Sequence, residues 1–81
     1  MAPKDKKEAA ISILRSATEK WPSPIVARSS IKTFTGGLYS AGFLANCDSQ
    51  SIGPEGAFRV GRQIVYPVAS LVNWLISRLE V

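Results

Sequence analysis

The stretch Phe58-Arg59-Val60-Gly61-Arg62-Gln63-Ile64-Val65-Tyr66-Pro67, followed by Val68 to Arg78, leaves this chain few ways to fold. Short runs rich in β-branched and aromatic residues flank Gly61-Arg62 and predict strands at Phe58–Val60 and Gln63–Tyr66. A two-residue Gly-X connection is that of a type II′ hairpin turn. Pro67 then suits the first turn of a helix, where its missing N–H is not needed. Val68, Leu71, Val72, Leu75 and Leu79 recur as an apolar stripe with Trp74 beside it. The expected unit is a hairpin with arginines near its tip, braced by an amphipathic helix. Its core positions are Val60, Ile64, Tyr66, Leu71 and Leu75.

Upstream, proline and glycine divide the chain. Residues 1–4 are expected to be loose, and a helix is expected from about Asp5 to Lys20, with Asp5 as cap, Glu8 three residues on, and Ala9 and Ala10 as strong helix formers. Ala10, Leu14, Ala17 and Trp21 share one helical face, flanked by Ile11 and Ile13. Pro22 pushes Trp21 out of the α region and ends the helix. In the segment Ile25–Phe34, Ser29 or Ser30 is expected to cap a short helix reaching Phe34 or Thr35, with Ile31 and Phe34 facing inward. Gly36-Gly37 forces a turn. Ser40 is the N-cap expected for a third helix over Ala41–Asp48, burying Phe43, Leu44 and Cys47. Gly42 within that helix costs about 1 kcal/mol relative to alanine. Ser49 to Ala57 reads as a loop on composition. The domain division is thus a tail at 1–4, an amphipathic helix at 5–21 and one domain at 25–81.

An 81-residue chain has room for one small core, and a hydrophobic fraction of 46% argues against global disorder. No run of about 18 apolar residues is present, so no transmembrane helix is expected. The charged start, Met1 to Glu8, does not read as a secretory signal, and a cytoplasmic location is expected, at the nucleoid if the protein binds DNA. With Cys47 as the one cysteine and no histidine, an internal disulfide, a zinc site of the usual ligands and Cys-His or Ser-His nucleophile pairs are all excluded. Asp48 and Glu55 stand isolated in sequence, so neither catalysis nor a cofactor or small-molecule substrate is expected. The net charge of +4 divides evenly. Lys4, Lys6, Lys7, Arg15 and Lys20 against Asp5, Glu8 and Glu19 leave +2 in residues 1–20, and the remainder carries the other +2. Such a mild surplus suits a nucleic-acid binder without demanding one.

A short helix, a glycine turn, a second short helix and then a hairpin make a helix-turn-helix with a wing. Residues 25–78 resemble the small winged helix-turn-helix domains of phage excisionases, AlpA-type regulators and the MerR superfamily. The resemblance rests on Phe58-Arg59-Val60-Gly61-Arg62, Val65-Tyr66-Pro67 and Leu71-Val72-Asn73-Trp74-Leu75. It implies a mainly α fold with a small β-hairpin plus an extra N-terminal helix. It further implies binding of double-stranded DNA, with Ser40–Ser49 as recognition helix and Phe58–Tyr66 as wing. The roles implied are those of an excision accessory factor or a transcription regulator. Three departures stand out: the helix over Ser40–Ser49 has no Lys or Arg, the Ser49–Ala57 loop is long, and the N-terminal helix has no counterpart.

Each candidate DNA contact has a plainer alternative. Arg62 and Arg59 suit phosphate contact from the wing, or decorate an exposed hairpin. On strand alternation Arg59 shares a face with neither Phe58 nor Val60 and is expected to point outward. Lys32 and Arg28 lie on or before a helix that would cross the backbone, or on a solvated face. Asn46 and Gln50 can read adenine, or serve as helix cap and loop residue. Ser40 and Tyr39 lie at the start of the recognition helix, Tyr39 alternatively as a half-buried wall of the core. Trp74, Tyr66 and Cys47 are expected in the core, and Trp21 as a staple for the first helix. That helix can dock on the domain or pair with a second copy through residues 5–20; a membrane surface is disfavoured. The rival function is a protein-interaction module on the same scaffold that has lost DNA binding.

Overall fold

Proline and glycine do mark the element boundaries. The computed structural model describes residues 6–80; the expected cap Asp5 and the tail at 1–4 lie outside them. Helix α1 is Lys6–Lys20, strand β1 Ile25–Ala27, helix α2 Ile31–Phe34, helix α3 Ala41–Ser49, strands β2 Phe58–Val60 and β3 Gln63–Pro67, and helix α4 Val68–Ser77. The architecture is mainly helical, with one small antiparallel sheet in the order β1-β3-β2. No described helix is long and apolar enough to cross a membrane.

Two turns show how glycine, or its lack, ends a helix. After α2 the Gly37 N–H bonds the Lys32 carbonyl at 2.7 Å and the Gly36 N–H bonds the Thr33 carbonyl at 3.2 Å. This is a Schellman motif, and Gly36 at φ 66° and Gly37 at φ 90° supply the left-handed backbone that it needs. The Thr35 hydroxyl then accepts the Tyr39 N–H at 3.1 Å, and the Ser40 hydroxyl accepts the Phe43 N–H at 3.1 Å, so α3 starts on the expected cap. The end of α3 repeats the Schellman pattern. Ile52 N–H bonds the Cys47 carbonyl and Ser51 N–H bonds the Asp48 carbonyl, but Ser51, not glycine, holds φ 61°. At Gly61-Arg62 only the glycine has positive φ, 60°, which fits the expected type II′ turn.

Four expectations need correction. Residues Ile25–Ala27, grouped above with a helical segment, form an edge strand with register Ile25↔Pro67, Val26↔Tyr66 and Ala27↔Val65, so the hairpin is part of a three-stranded sheet. Three residues are too few to display strand alternation. Ser30 is the N-cap of α2, but its side chain makes no capping bond, because a 3-10 turn over Arg28–Ser30 feeds directly into the helix. Pro67 is the last residue of β3 and the N-cap of α4, one position before the first turn; the Val68 N–H is taken by the Pro24 carbonyl at 2.9 Å. Val60 is 54% exposed, not core.

Register explains Val60. Residues opposite one another on antiparallel strands share a face. Val26, Tyr66, Ile64 and Arg59 therefore line one face, and Ala27, Val65, Phe58, Gln63 and Val60 the other. The core lies on the Tyr66 face, where Val26 and Tyr66 join Ile31, Leu44, Cys47, Val68, Leu71, Val72, Trp74 and Leu75, with Ile64 packed partly against them. Arg59 is exposed because β2 overhangs the edge of that core, and not because its side chain leaves from the outer face.

Helix α1 docks on the domain. Leu14, Ala17 and Trp21 pack against the core, and Trp21 fastens the joint through Nε1–H to the Ile25 carbonyl at 3.0 Å and an edge contact with Phe34 at 5.0 Å. Ile13, at the flank of that face, remains 70% exposed.

Candidate nucleic-acid interface

Beyond α1, the exposed cations include Lys32 on α2 and Arg59 and Arg62 on the β2–β3 hairpin. At the start of α3, Lys32 borders a shallow hollow shared with Gly37, Leu38, Tyr39, Ser40 and Phe43. At its end, Asp48 Oδ2 accepts the Tyr66 hydroxyl at 2.6 Å, which ties α3 to β3. Two residues before Tyr66, Ile64 stands opposite Arg59, and the hairpin tip beyond carries Arg62. Lys32, Arg59 and Arg62 are exposed and make no ion pair or side-chain hydrogen bond among the described residues. Helix α3 turns Ser40, Gly42, Asn46 and Ser49 to solvent, with Gln50 as its C-cap. None of these carries charge.

Arg28 belongs elsewhere. Its Nη2 bonds Asp48 Oδ2 at 2.6 Å, its Nε donates to the Tyr66 hydroxyl at 3.0 Å, and its Cζ lies 5.9 Å from the Tyr66 ring centroid. The three side chains form a closed triangle joining the turn after β1, the end of α3 and the middle of β3. Burial opposes the Arg28 charge, but hydrogen bonds to Tyr66 and Asp48 outweigh it and raise the pKa. Burial, helped by the bond to Asp48, pushes the Tyr66 hydroxyl up to about 12. The Asp48 side chain also presses on Gly53, where an added Cβ would collide with Oδ1, so a side chain there would have to displace the Asp48 carboxylate.

Tyr39 and Ser40 hold α3 in place. The Tyr39 ring stacks on Phe43 at 4.7 Å with an 11° tilt and meets Trp74 edge-on at 5.5 Å. Its hydroxyl accepts a hydrogen bond from Arg78 Nε at 3.1 Å. The Ser40 hydroxyl is engaged as cap yet exposed. Asn46 is exposed mid-helix; the cap position falls to Gln50 instead.

Sequence reasoning missed Asp48, Tyr66 and Arg78 as members of polar clusters. Asp48 lies 20 residues from Arg28 and 18 from Tyr66, so no local spacing could join them. Arg78 did leave a signal. It follows Trp74 by four positions, one helical turn, which is cation–π spacing on a helix surface.

No known family model matches the chain, and neither a curated protein nor a solved structure matches it.

Proposed function

We propose that this chain is a double-stranded DNA-binding protein of winged helix-turn-helix type, an excisionase-like or transcription-regulating accessory factor of a phage or mobile element. The observation that carries the reading is a set of three exposed cations with no ion pair among the described residues, Lys32 on α2 and Arg59 with Arg62 on the β2–β3 hairpin. On this reading α2 and α3, joined by the Gly36-Gly37 turn, are the helix-turn-helix, and the β2–β3 hairpin is the wing. Phosphate contacts from Arg62, Arg59 and Lys32 position the protein, and Ser40 and Asn46 face the bases. Arg28 serves the fold and leaves the contact set.

Because α3 carries no Lys or Arg, the affinity comes from few cations and its salt dependence is shallow. Three phosphate contacts give a log–log slope near −3. Anisotropy titration of a labelled duplex at two salt concentrations measures it, and a folded protein that fails to bind at low salt overturns the reading.

A second reading has its own support. Leu38, Phe58 and Val60 are 65%, 46% and 54% exposed, which favours a protein-interaction module. The Arg59→Ala, Arg62→Ala double variant separates the two: unchanged DNA affinity argues against the hairpin as a DNA contact.

A further inference from the structure

We infer that Arg78 is a further phosphate-binding residue, held ready at the start of α3 by a three-ring aromatic platform; the inference rests on the DNA-binding reading above. The Arg78 Cζ lies 4.9 Å from the Trp74 ring centroid, 5.4 Å from Phe43 and 5.5 Å from Tyr39. The platform is itself tied down. Tyr39 and Phe43 stack on one another, and Trp74 Nε1–H bonds the Ile52 carbonyl at 2.8 Å.

The guanidinium is thus seated against three rings, and Nε is committed to the Tyr39 hydroxyl. The two Nη groups find no acceptor among the described residues. Arg78 is exposed, with Glu80 close enough to be felt electrostatically but not bonded to it. An arginine held against aromatic rings with both Nη groups free matches two phosphate oxygens, and the order imposed before binding reduces the entropy lost on contact.

Position gives the fork its partner. The rings beneath it belong to Tyr39 and Phe43, in and just before the first turn of α3, and Lys32 borders the same surface. Lys32 and Arg78 both lie beside Tyr39 and Phe43 at the start of α3, so on this reading they present two cations to the phosphates at that end of the helix. Arg78 supplies beside α3 a cation that the helix's own sequence lacks.

The test is anisotropy titration of a random-sequence duplex across a range of salt, with wild type, Arg78→Ala, Arg78→Lys and Arg62→Ala compared. With Arg78 as a fourth contact the wild-type slope steepens to about −3.6, and Arg78→Ala is expected to weaken binding about tenfold at low salt and to bring the slope back by about 0.9, one phosphate's share. Arg78→Lys keeps the charge but loses the fork, and falls between. Tyr39→Phe, which frees Nε, weakens binding less than Arg78→Ala and leaves the slope intact. A packing role alone would change the melting temperature and not the slope. If wild type binds and Arg62→Ala weakens it while folded Arg78→Ala keeps wild-type affinity and slope, this inference fails and the DNA reading stands. If wild type does not bind, both fail. Should Arg78→Ala not fold, the Arg78 Nε–H resonance of wild type decides: a shift on adding duplex supports the contact, and an unmoved resonance overturns it.

Discussion

Ser51 occupies the left-handed position that closes α3, with φ 61°, where the corresponding turn after α2 uses Gly36. A non-glycine residue held there costs of order 1 kcal/mol. Ser51→Gly is therefore expected to raise the unfolding free energy by about 1 kcal/mol, measured by urea denaturation, with α3 and its caps unchanged. The Arg28–Asp48–Tyr66 triangle works in the opposite direction. The paired Arg28 and Asp48 side chains are only 25% and 22% exposed, so Asp48→Ala strands two donors in a largely dry site. The expected loss is about 2 kcal/mol. The same triangle sets a response to alkali. Folding raises the Tyr66 hydroxyl from 10.0 to about 12, so the fold favours its protonated form. That stabilisation is complete below pH 10 and is lost as pH climbs toward 12. Other groups titrate there too, so the readout is a difference: wild type loses more stability than Tyr66→Phe across this window. Parallel curves for the two proteins would show that Tyr66 titrates no differently in the fold.

At the scale of elements, α1 contributes through a single stripe. Leu14 and Ala17 pack on the core while Ile13 is 70% exposed, so neighbouring apolar residues on one helix should respond very differently. Leu14→Ala is expected to cost about 1–2 kcal/mol, below the range for a fully buried leucine because the side chain is half-buried. Ile13→Ser should stay within about 0.5 kcal/mol in the monomer. Thermal melts of the two variants check both. Elements whose ends carry their own chemistry were legible in the sequence: α1 stops at Trp21-Pro22, α3 starts on Ser40, and the hairpin turns at Gly61. Strand β1 was not, because three residues between prolines and a 3-10 turn acquire strand geometry only from the partner that β3 provides. Val60 failed for a related reason. Alternation tells which residues share a face, but only the placement of α3 and α4 tells which face is covered, and β2 projects beyond them. Of the candidate site, the exposed cations were legible as residue types at a hairpin tip. The diversion of Arg28 to Asp48 and the seating of Arg78 on three rings depend on contacts across the fold.

For the whole molecule, the question is whether a helix attached through Trp21 and a sheet-bearing domain unfold together. The domain division read from sequence would let residues 5–21 come away first. The packing argues against this: α1 lies along α4, its Arg15, Thr18 and Glu19 bordering a hollow with Ala69, Val72 and Asn73, and Val72 is itself a core residue 3% exposed. Releasing α1 would uncover that part of the core, and in a domain this small one exposed face is a large share of the total stability. The two tryptophans report from opposite regions, Trp21 at the α1 joint and Trp74 between α4 and the Ile52 loop. In the single-tryptophan variants Trp74→Phe and Trp21→Phe, fluorescence and far-ultraviolet circular dichroism should each give one urea transition with coincident midpoints within each protein. If Trp21 fluorescence changes at lower urea than the dichroism of the same variant, α1 is a separate, weaker unit. The cooperative outcome has a consequence for function. A domain that unfolds as one body holds Lys32, Arg78 and the hairpin arginines in fixed relation, which a protein depending on few cations needs if it is to meet phosphates in register.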